Sequence, residues 1–209
     1  CKGIIKNANI EELYLDEILR PVEKFSNLNR VNVVWDCGNG ATGNLIKKLV
    51  KKLPGKHKVL FSEIDGHFPN HHPDPSNEDN LKILKKCILE EKADFGFAFD
   101  GDGDRLGVLD NKGKLMSGDM LTAFLAQSIK NKKKPIIIDV KSSLNCKLFL
   151  EKLNFNVIVW KTGHSHIKKK MKETSSDFAG EMSGHIFFAD DYLGYDDALY
   201  SSIRFLSLI

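Results

Sequence analysis

Short apolar runs alternate with amphipathic helical stretches, and this alternation sets the strongest limit on how the chain can fold. Val31–Trp35 is apolar but for Asn32, and Ala41–Leu53 then carries Leu45, Ile46, Leu49, Val50 and Leu53 on one helical face. Lys58–Ile64 reads as a strand, and Asn80–Glu91 as a helix with Leu81, Leu84, Cys87 and Ile88 inward. Asp94–Phe99 alternates large and small residues with its three Phe on one face, a strand pattern. Leu106–Asp110, the turn Asn111–Lys114 and a restart at Leu115 predict a hairpin, and Gly118–Lys130 a helix. After the basic run Lys130–Pro135 the pattern starts again. It gives a strand Ile136–Val140, a helix Ser143–Lys152, a strand Asn156–Trp160, a helix His164–Lys172, a strand through Ala179, a strand Ile186–Ala189 and a last helix from Asp196. Alternation of this kind builds a largely parallel sheet with helices on both faces. The expected fold class is α/β: two consecutive three-layer α/β/α domains with mixed, largely parallel sheets. The first spans 1–132 and includes a leading helix Ile10–Phe25 interrupted at Pro21; the second spans 133–209, with the basic run as linker or surface turn.

The bulk numbers narrow the function classes. Of 209 residues, 42% are hydrophobic and 28% charged, an ordinary globular balance for one large or two small domains. The net charge of +3 is too small to argue for nucleic acid, and Lys47, Lys48, Lys51 and Lys52 fall on the polar side of a helical pattern. Cys1, Cys37, Cys87 and Cys146 are widely spaced with no Cys-x-x-Cys pair, so neither a zinc knuckle nor a disulfide framework is expected. A cytoplasmic location fits that cysteine usage. No apolar run approaches the ~20 residues of a membrane helix, and no secretory signal is present, so no membrane partner is expected. The chain begins at Cys1 without Met, which fits a piece of a longer protein.

Chemistry concentrates at Asp100-Gly101-Asp102-Gly103-Asp104-Arg105. Three carboxylates at alternate positions repel one another unless a divalent cation neutralises them, and hard oxygen donors favour Mg²⁺ or Ca²⁺ over zinc. The glycines let the backbone turn around an ion, and Arg105 is placed to pair with an anion beside it. A metal next to an arginine is the local chemistry of phosphoryl transfer. A calcium EF-hand fails on position, since its sixth residue would be Arg105 rather than Gly and its twelfth Asn111 rather than Glu. An acidic solvated turn is the plainer reading, although a simple turn needs only one Asp-Gly.

Four further segments have two readings each. Gly38–Gly43 is a formal G-x-G-x-x-G between a strand and a helix, with Glu63 twenty residues past Gly43: a dinucleotide fingerprint, or a tight turn braced by Asp36 and Asn39. Gly180–His185 alternates Glu181, Ser183 and His185, which suits sugar hydroxyls or a polar turn. Lys161–Ser165 opens a helix, where His164 serves acid–base chemistry at an anion site or makes a structural hydrogen bond. Lys141, just past a strand, alone passes for a surface lysine. His67, His71 and His72 lack a well-spaced fourth ligand, so a rigid Pro-rich loop is favoured over a metal cluster.

Taken together, DGDGDR at 100–105, GEMSGH at 180–185, KTGHS at 161–165 and DGHFPNHHPDP at 65–75 resemble the α-D-phosphohexomutases. The likeness covers nearly the whole chain and points to the bacterial phosphomannomutase/phosphoglucomutase branch. Met182 and Gly103 fit this branch better than the phosphoglucosamine mutases, which remain an alternative, as does a nucleotide-dependent oxidoreductase using Gly38–Gly43. The resemblance implies the second and third of four domains. The first, with its phosphoserine loop (T-A-S-H-N-P type), and the fourth, with its phosphate-binding loop (R-x-S-G-T type), have no counterpart here. It further implies that Asp100, Asp102 and Asp104 hold Mg²⁺, that Arg105 contacts the phosphoserine, and that Glu181 and Ser183 bind sugar hydroxyls close to His185. Lys141 and His164 match positions near the reacting hydroxyl. The implied reaction interconverts mannose or glucose 1-phosphate and 6-phosphate through glucose 1,6-bisphosphate or its mannose counterpart. This piece alone is expected to be inactive and to bind metal poorly, because the phosphoserine is missing.

Overall fold

A computed structural model of the chain describes residues 3–22 and 28–209. Its elements are α1 (Glu11–Leu19), β1 (Asn32–Asp36), α2 (Gly43–Lys52), β2 (Lys56–Leu60), α3 (Lys82–Glu91), β3 (Phe95–Phe99), β4 (Leu106–Asp110), α4 (Gly118–Leu125), β5 (Ile136–Asp139), α5 (Leu144–Lys152), β6 (Val157–Trp160), α6 (His164–Thr174), β7 (Phe178–Gly180), β8 (Ile186–Phe188) and α7 (Ala198–Leu206). The strands form two four-stranded sheets with one topology used twice, β2-β1-β3-β4 and β6-β5-β7-β8. In each, the central strand runs parallel to both neighbours and the fourth strand returns antiparallel from the third. The expected pair of α/β/α units with mixed, largely parallel sheets is what the chain adopts.

The large–small alternation of β3 has a packing cause. Phe97 and Phe99 contact Trp35, and Phe95 and Phe97 contact Phe205 of α7. The opposite face carries Gly96 and Ala98 because α3 lies directly on it: a Cβ on Gly96 would meet Ile88 at 2.7 Å and Leu84 at 2.9 Å. The main apolar core continues from the first sheet through α7, α4 and α5 into the second, while α3 and α6 close smaller clusters on the far faces. Helix α7 is buried at all nine positions.

Element ends differ from the sequence reading where local backbone intervenes. β2 stops at Leu60 because Phe61 takes a φ of +50°. The helix expected over 118–130 ends at Leu125 and continues as a 3-10 turn to Ser128. Leu115 makes only an isolated bridge to Leu109 rather than a strand. The leading helix ends at Leu19 with a 3-10 turn over Arg20–Val22, and residues 23–25 of that expectation lie outside the described residues. Among the described residues no helix is long and apolar enough to cross a membrane, and Cys37, Cys87 and Cys146 are free, buried thiols.

Two stability predictions follow from the turn after β1. A Cβ on Gly43 would sit 2.1 Å from the Ser62 carbonyl oxygen, whereas one on Gly66 would meet nothing within 4 Å. Gly43→Ala should therefore cost about 1–3 kcal/mol in urea unfolding, and Gly66→Ala should stay within about 0.5 kcal/mol; equal midpoints for the two variants would contradict this packing. Fully buried Asp36 accepts from His71 Nε2 at 3.1 Å and from the Gly38 amide at 2.9 Å. The bond to Asp36 raises the His71 pKa, against the opposing effect of partial burial. Because the folded value is raised, this stabilisation is complete below the unfolded histidine range and fades as pH climbs through the folded value. The stability gap between wild type and His71→Asn should thus be wider at about pH 6 than at about pH 9; a gap that ignores pH would refute the charged pairing.

Candidate active site

Both sheets end their central strand in a buried carboxylate. Asp36 closes β1 and Asp139 closes β5, and neither is exposed. Asp139 Oδ1 accepts from Ser142 Oγ at 2.9 Å and from the Met182 amide at 3.3 Å, while Oδ2 accepts from Thr162 Oγ1 at 3.1 Å. One side chain thereby gathers the loops that follow β5, β6 and β7 at the carboxyl edge of the parallel strands, where open α/β sheets place their ligands. Asp139 was not singled out in the sequence; an acid terminating an Ile-Ile-Ile strand was the available signal.

The acidic loop joins β3 to β4. Asp100 is buried, and its Oδ1 accepts the amides of Gly103, Asp104 and Arg105 at 3.0, 3.0 and 3.1 Å. Its Oδ2 takes Arg105 Nε at 2.8 Å, and Arg105 Nη1 donates to Asp74 Oδ1 at 3.0 Å. Asp74, in the Pro-rich loop, thus holds the arginine, leaving Nη2 with no partner among the described residues. Carboxylate oxygens of Asp100, Asp102 and Asp104 lie within 4.8 Å of one another. Burial and then the nearby Asp100 push the Asp104 carboxyl up to about 7. An all-oxygen donor set that disfavours its own charge fits a hard divalent cation such as Mg²⁺.

The segment 181–185 occupies the same topological place in the second sheet, joining β7 to β8, and the two loops meet. Arg105 and His185 form an antiparallel bridge, and the Leu106 amide donates to the Gly184 carbonyl at 3.1 Å. Gly184 has a φ of +96°, and a Cβ there would lie 2.7 Å from the Leu106 carbonyl oxygen, so glycine is required. His185 Nδ1 comes to 3.5 Å from Asp104 Oδ1. Buried Glu181 accepts the Gly163 amide through Oε1, which ties this loop to the start of α6. His164, the first residue of α6, stacks on His185 with ring centroids 5.7 Å apart.

Asp100, Asp104, Arg105, His164 and His185 thus converge, with Asp102 exposed on the loop's outer side. Lys141 and Ser183 stand apart from them. They line a cavity of about 410 Å³ between the two units, together with Pro75, Leu106, Ser117 and Gly184. Asp102 and Asp104 face a second cavity of about 250 Å³ with Tyr14, Thr42, Asp196 and Asp197. The pairing of Leu106 with Gly184 borders the first cavity, and Asp104 the second. Asp196, expected only as the start of the last helix, belongs to no sequence motif.

The glycine-rich turn has its own occupant. Gly40 packs on the acidic loop, where an added Cβ would be 2.8 Å from the Gly101 carbonyl oxygen and 2.9 Å from that of Asp100, and the Ala41 amide donates to Gly101. The glycine at 40 thus serves close backbone packing against the acidic loop. Asp36 braces the turn through the Gly38 amide as expected, whereas Asn39 instead donates to the Glu63 carbonyl. Glu63 itself is exposed and paired with Lys47. His71 bonds Asp36, and among the described residues His67, His71 and His72 form no metal-ligating group.

Two family models match the chain. Residues 12–113 match phosphoglucomutase/phosphomannomutase, alpha/beta/alpha domain II, and residues 117–209 match alpha/beta/alpha domain III. The phosphomannomutase/phosphoglucomutase of Pseudomonas putida is 43% identical over 211 residues, covering 100% of this chain and 45% of that protein. A crystal structure of a phosphoglucomutase/phosphomannomutase family protein from Burkholderia thailandensis superposes with a TM-score of 0.90 at 38% identity, over 97% of this chain and 44% of the other. Aspergillus fumigatus N-acetylphosphoglucosamine mutase, solved in complex with GlcNAc-6P and magnesium, shares the fold alone. Its identity is 19% and its TM-score 0.62, over 95% of this chain and 46% of that one. The chain thus spans about half the length of the relatives it matches. With the two family models together covering both sheets and the loops where they meet, the chain belongs to the phosphoglucomutase/phosphomannomutase family and carries its α/β/α domains II and III.

Proposed function

We propose that the chain is the central part of a phosphomannomutase/phosphoglucomutase that interconverts hexose 1-phosphate and hexose 6-phosphate. The observation that carries this reading is the direct pairing of the acidic loop with the 181–185 loop, which sets His185 Nδ1 3.5 Å from Asp104. Asp100, Asp102 and Asp104 would hold Mg²⁺, which when bound supplies electrostatic stabilisation of charge on a transferring phosphoryl group. The chain's own residues do the rest. Arg105, gripped by Asp100 and Asp74, presents Nη2 as a donor to an anion beside the metal loop. Glu181, Ser183 and His185 offer acceptors and donors to sugar hydroxyls. His164 stands beside His185, and Lys141 lines the cavity on the other side of the loop pairing; both are assigned to proton transfer in this reading. Glucose 1,6-bisphosphate as intermediate, and a phosphoserine contributed by a preceding domain, complete the reading. The magnesium and sugar phosphate held by the A. fumigatus mutase of the same fold support it. We also place the boundary between the units near residues 113–117, ahead of the basic run, because α4 packs on α5, α7 and β7.

The deciding measurement is conversion of glucose 1-phosphate, and of mannose 1-phosphate, to the 6-phosphate with Mg²⁺ and a trace of 1,6-bisphosphate. The full-length parent should turn over and this chain should not; turnover by this chain alone, or none by the parent on either sugar, would overturn the reading. A second test concerns the metal. In chelator, Asp104→Asn should relieve carboxylate crowding and raise the melting midpoint by about 2–4 °C, taking the relief as on the order of 1 kcal/mol. Millimolar Mg²⁺ should stabilise wild type more than this variant. Equal response of the two proteins to Mg²⁺ would remove Asp104 from the metal set.

A further inference from the structure

Asp196 lies outside every motif yet its carboxylate reaches His185, His164 and Lys168. It sits just before α7, in an antiparallel bridge with Phe187, two residues from His185. Its neighbour Asp197 caps α7 through the Tyr200 amide and accepts from Tyr14 and Tyr192, while the Ala198 amide donates to Gly103 of the acidic loop. The backbone around Asp196 is therefore held on both sides. Its side chain is 5% exposed. Oδ1 accepts from Lys168 Nζ at 2.9 Å, and Lys168 is also 3.2 Å from His164 Nδ1. Oδ2 is buried without a hydrogen-bond partner of good geometry, as is His185 Nδ1, and these two atoms are 3.0 Å apart. They are each other's nearest complement; the other groups in reach are Asp104 Oδ1 at 3.5 Å from His185 Nδ1 and His164 Nδ1 at 3.5 Å from Asp196 Oδ2. Burial opposes charge on Asp196, but His185 and Lys168 outweigh it and keep the carboxyl below its usual range.

The charged Asp196 carboxylate thus faces one ring nitrogen at 3.0 Å, and a lone pair there would be repelled by it. The proton of a neutral ring belongs on Nδ1, which leaves Nε2 as the acceptor. Asp104 belongs to the proposed metal set and would spend its charge on the cation, whereas Asp196 is free of that duty. We propose that Asp196 is a positioning residue that holds His185 with its proton on Nδ1 and so presents an unprotonated Nε2 to a sugar hydroxyl. The functional side of this inference rests on the reading of the 181–185 loop as the sugar-binding loop; the tautomer itself does not.

The first test uses this chain labelled with ¹⁵N, in chelator, at a pH where the ring is neutral. Long-range ¹H–¹⁵N spectra report which ring nitrogen carries the proton, and loss of one ring's signals in His185→Gln assigns it. Wild type should show the Nδ1–H form alone, and Asp196→Asn should show a mixture of both tautomers. A wild-type ring protonated on Nε2 overturns the proposal with no variant needed. In the full-length parent, Asp196→Asn should lower kcat on the order of 10²-fold with KM little changed, and Asp196→Glu should recover part of the loss. Asp196→Asn with wild-type tautomer and wild-type kcat also overturns it. Should the parent prove inactive on both sugars, the functional reading fails while the ring spectrum still decides what Asp196 does.

Discussion

The Leu106 amide meets the Gly184 carbonyl at 3.1 Å, and Arg105 pairs with His185 beside it. These contacts join the β3–β4 loop of one sheet to the β7–β8 loop of the other. The remaining geometry of the site leans on that junction. It fixes the distance from Asp104 to His185, sets one cavity on either side, and orders two loops that would otherwise be independent hairpin ends. It demands a residue with no Cβ at 184, where the backbones approach too closely for any side chain. Because both loops occupy the same position in a topology used twice, the site is the meeting of two equivalent places in two similar units.

Buried carboxylates carry most of the organisation around the junction. Asp36, Asp100, Asp139 and Asp197 each accept backbone amides, and so stand in for the secondary structure that ends where they begin. Such groups cost desolvation unless every lone pair finds a donor, and these find two or more. The exceptions are informative. Half-buried Asp104 is crowded by Asp100 and Asp102, and Asp196 Oδ2 is left facing His185. Rigidity at the strand ends and fewer donors at the loop tips divide these acids into those that brace backbone and those that do not.

How much of this was legible follows from the range of the interactions. Strand and helix order came through because each element's apolar period is local, and the large–small pattern of β3 even foretold its two unlike faces. The acidic loop was legible because charge repulsion acts between near neighbours in sequence. Element ends were less so: β2 stops at a positive φ on Phe61 that no propensity announces. Gly38–Gly43 satisfied a dinucleotide pattern because any tight strand-to-helix turn wants glycine, and only packing shows that Gly40 and Gly43 are small to admit the acidic loop and Ser62. Asp74 and Asp139 act through partners about 30 and 40 residues away, so no short window of sequence contains either pair, and Asp196 meets His185 only because the Phe187–Asp196 bridge folds that segment back.

The sequence by itself determined the element order, the α/β class, the donor chemistry of Asp100–Arg105 and the family the motifs resemble, because periodicity, charge spacing and glycine placement are properties of short segments. Tertiary structure alone decided that α7 and α4 fuse the two units into one continuous core, and that Lys141 and Ser183 open on a cavity apart from the acidic loop's carboxylates. It also decided that Arg105 is held between Asp100 and Asp74 and that His185 has Asp196 as its partner. Those outcomes depend on how loops from different strands are brought against one another, and only the folded backbone sets that.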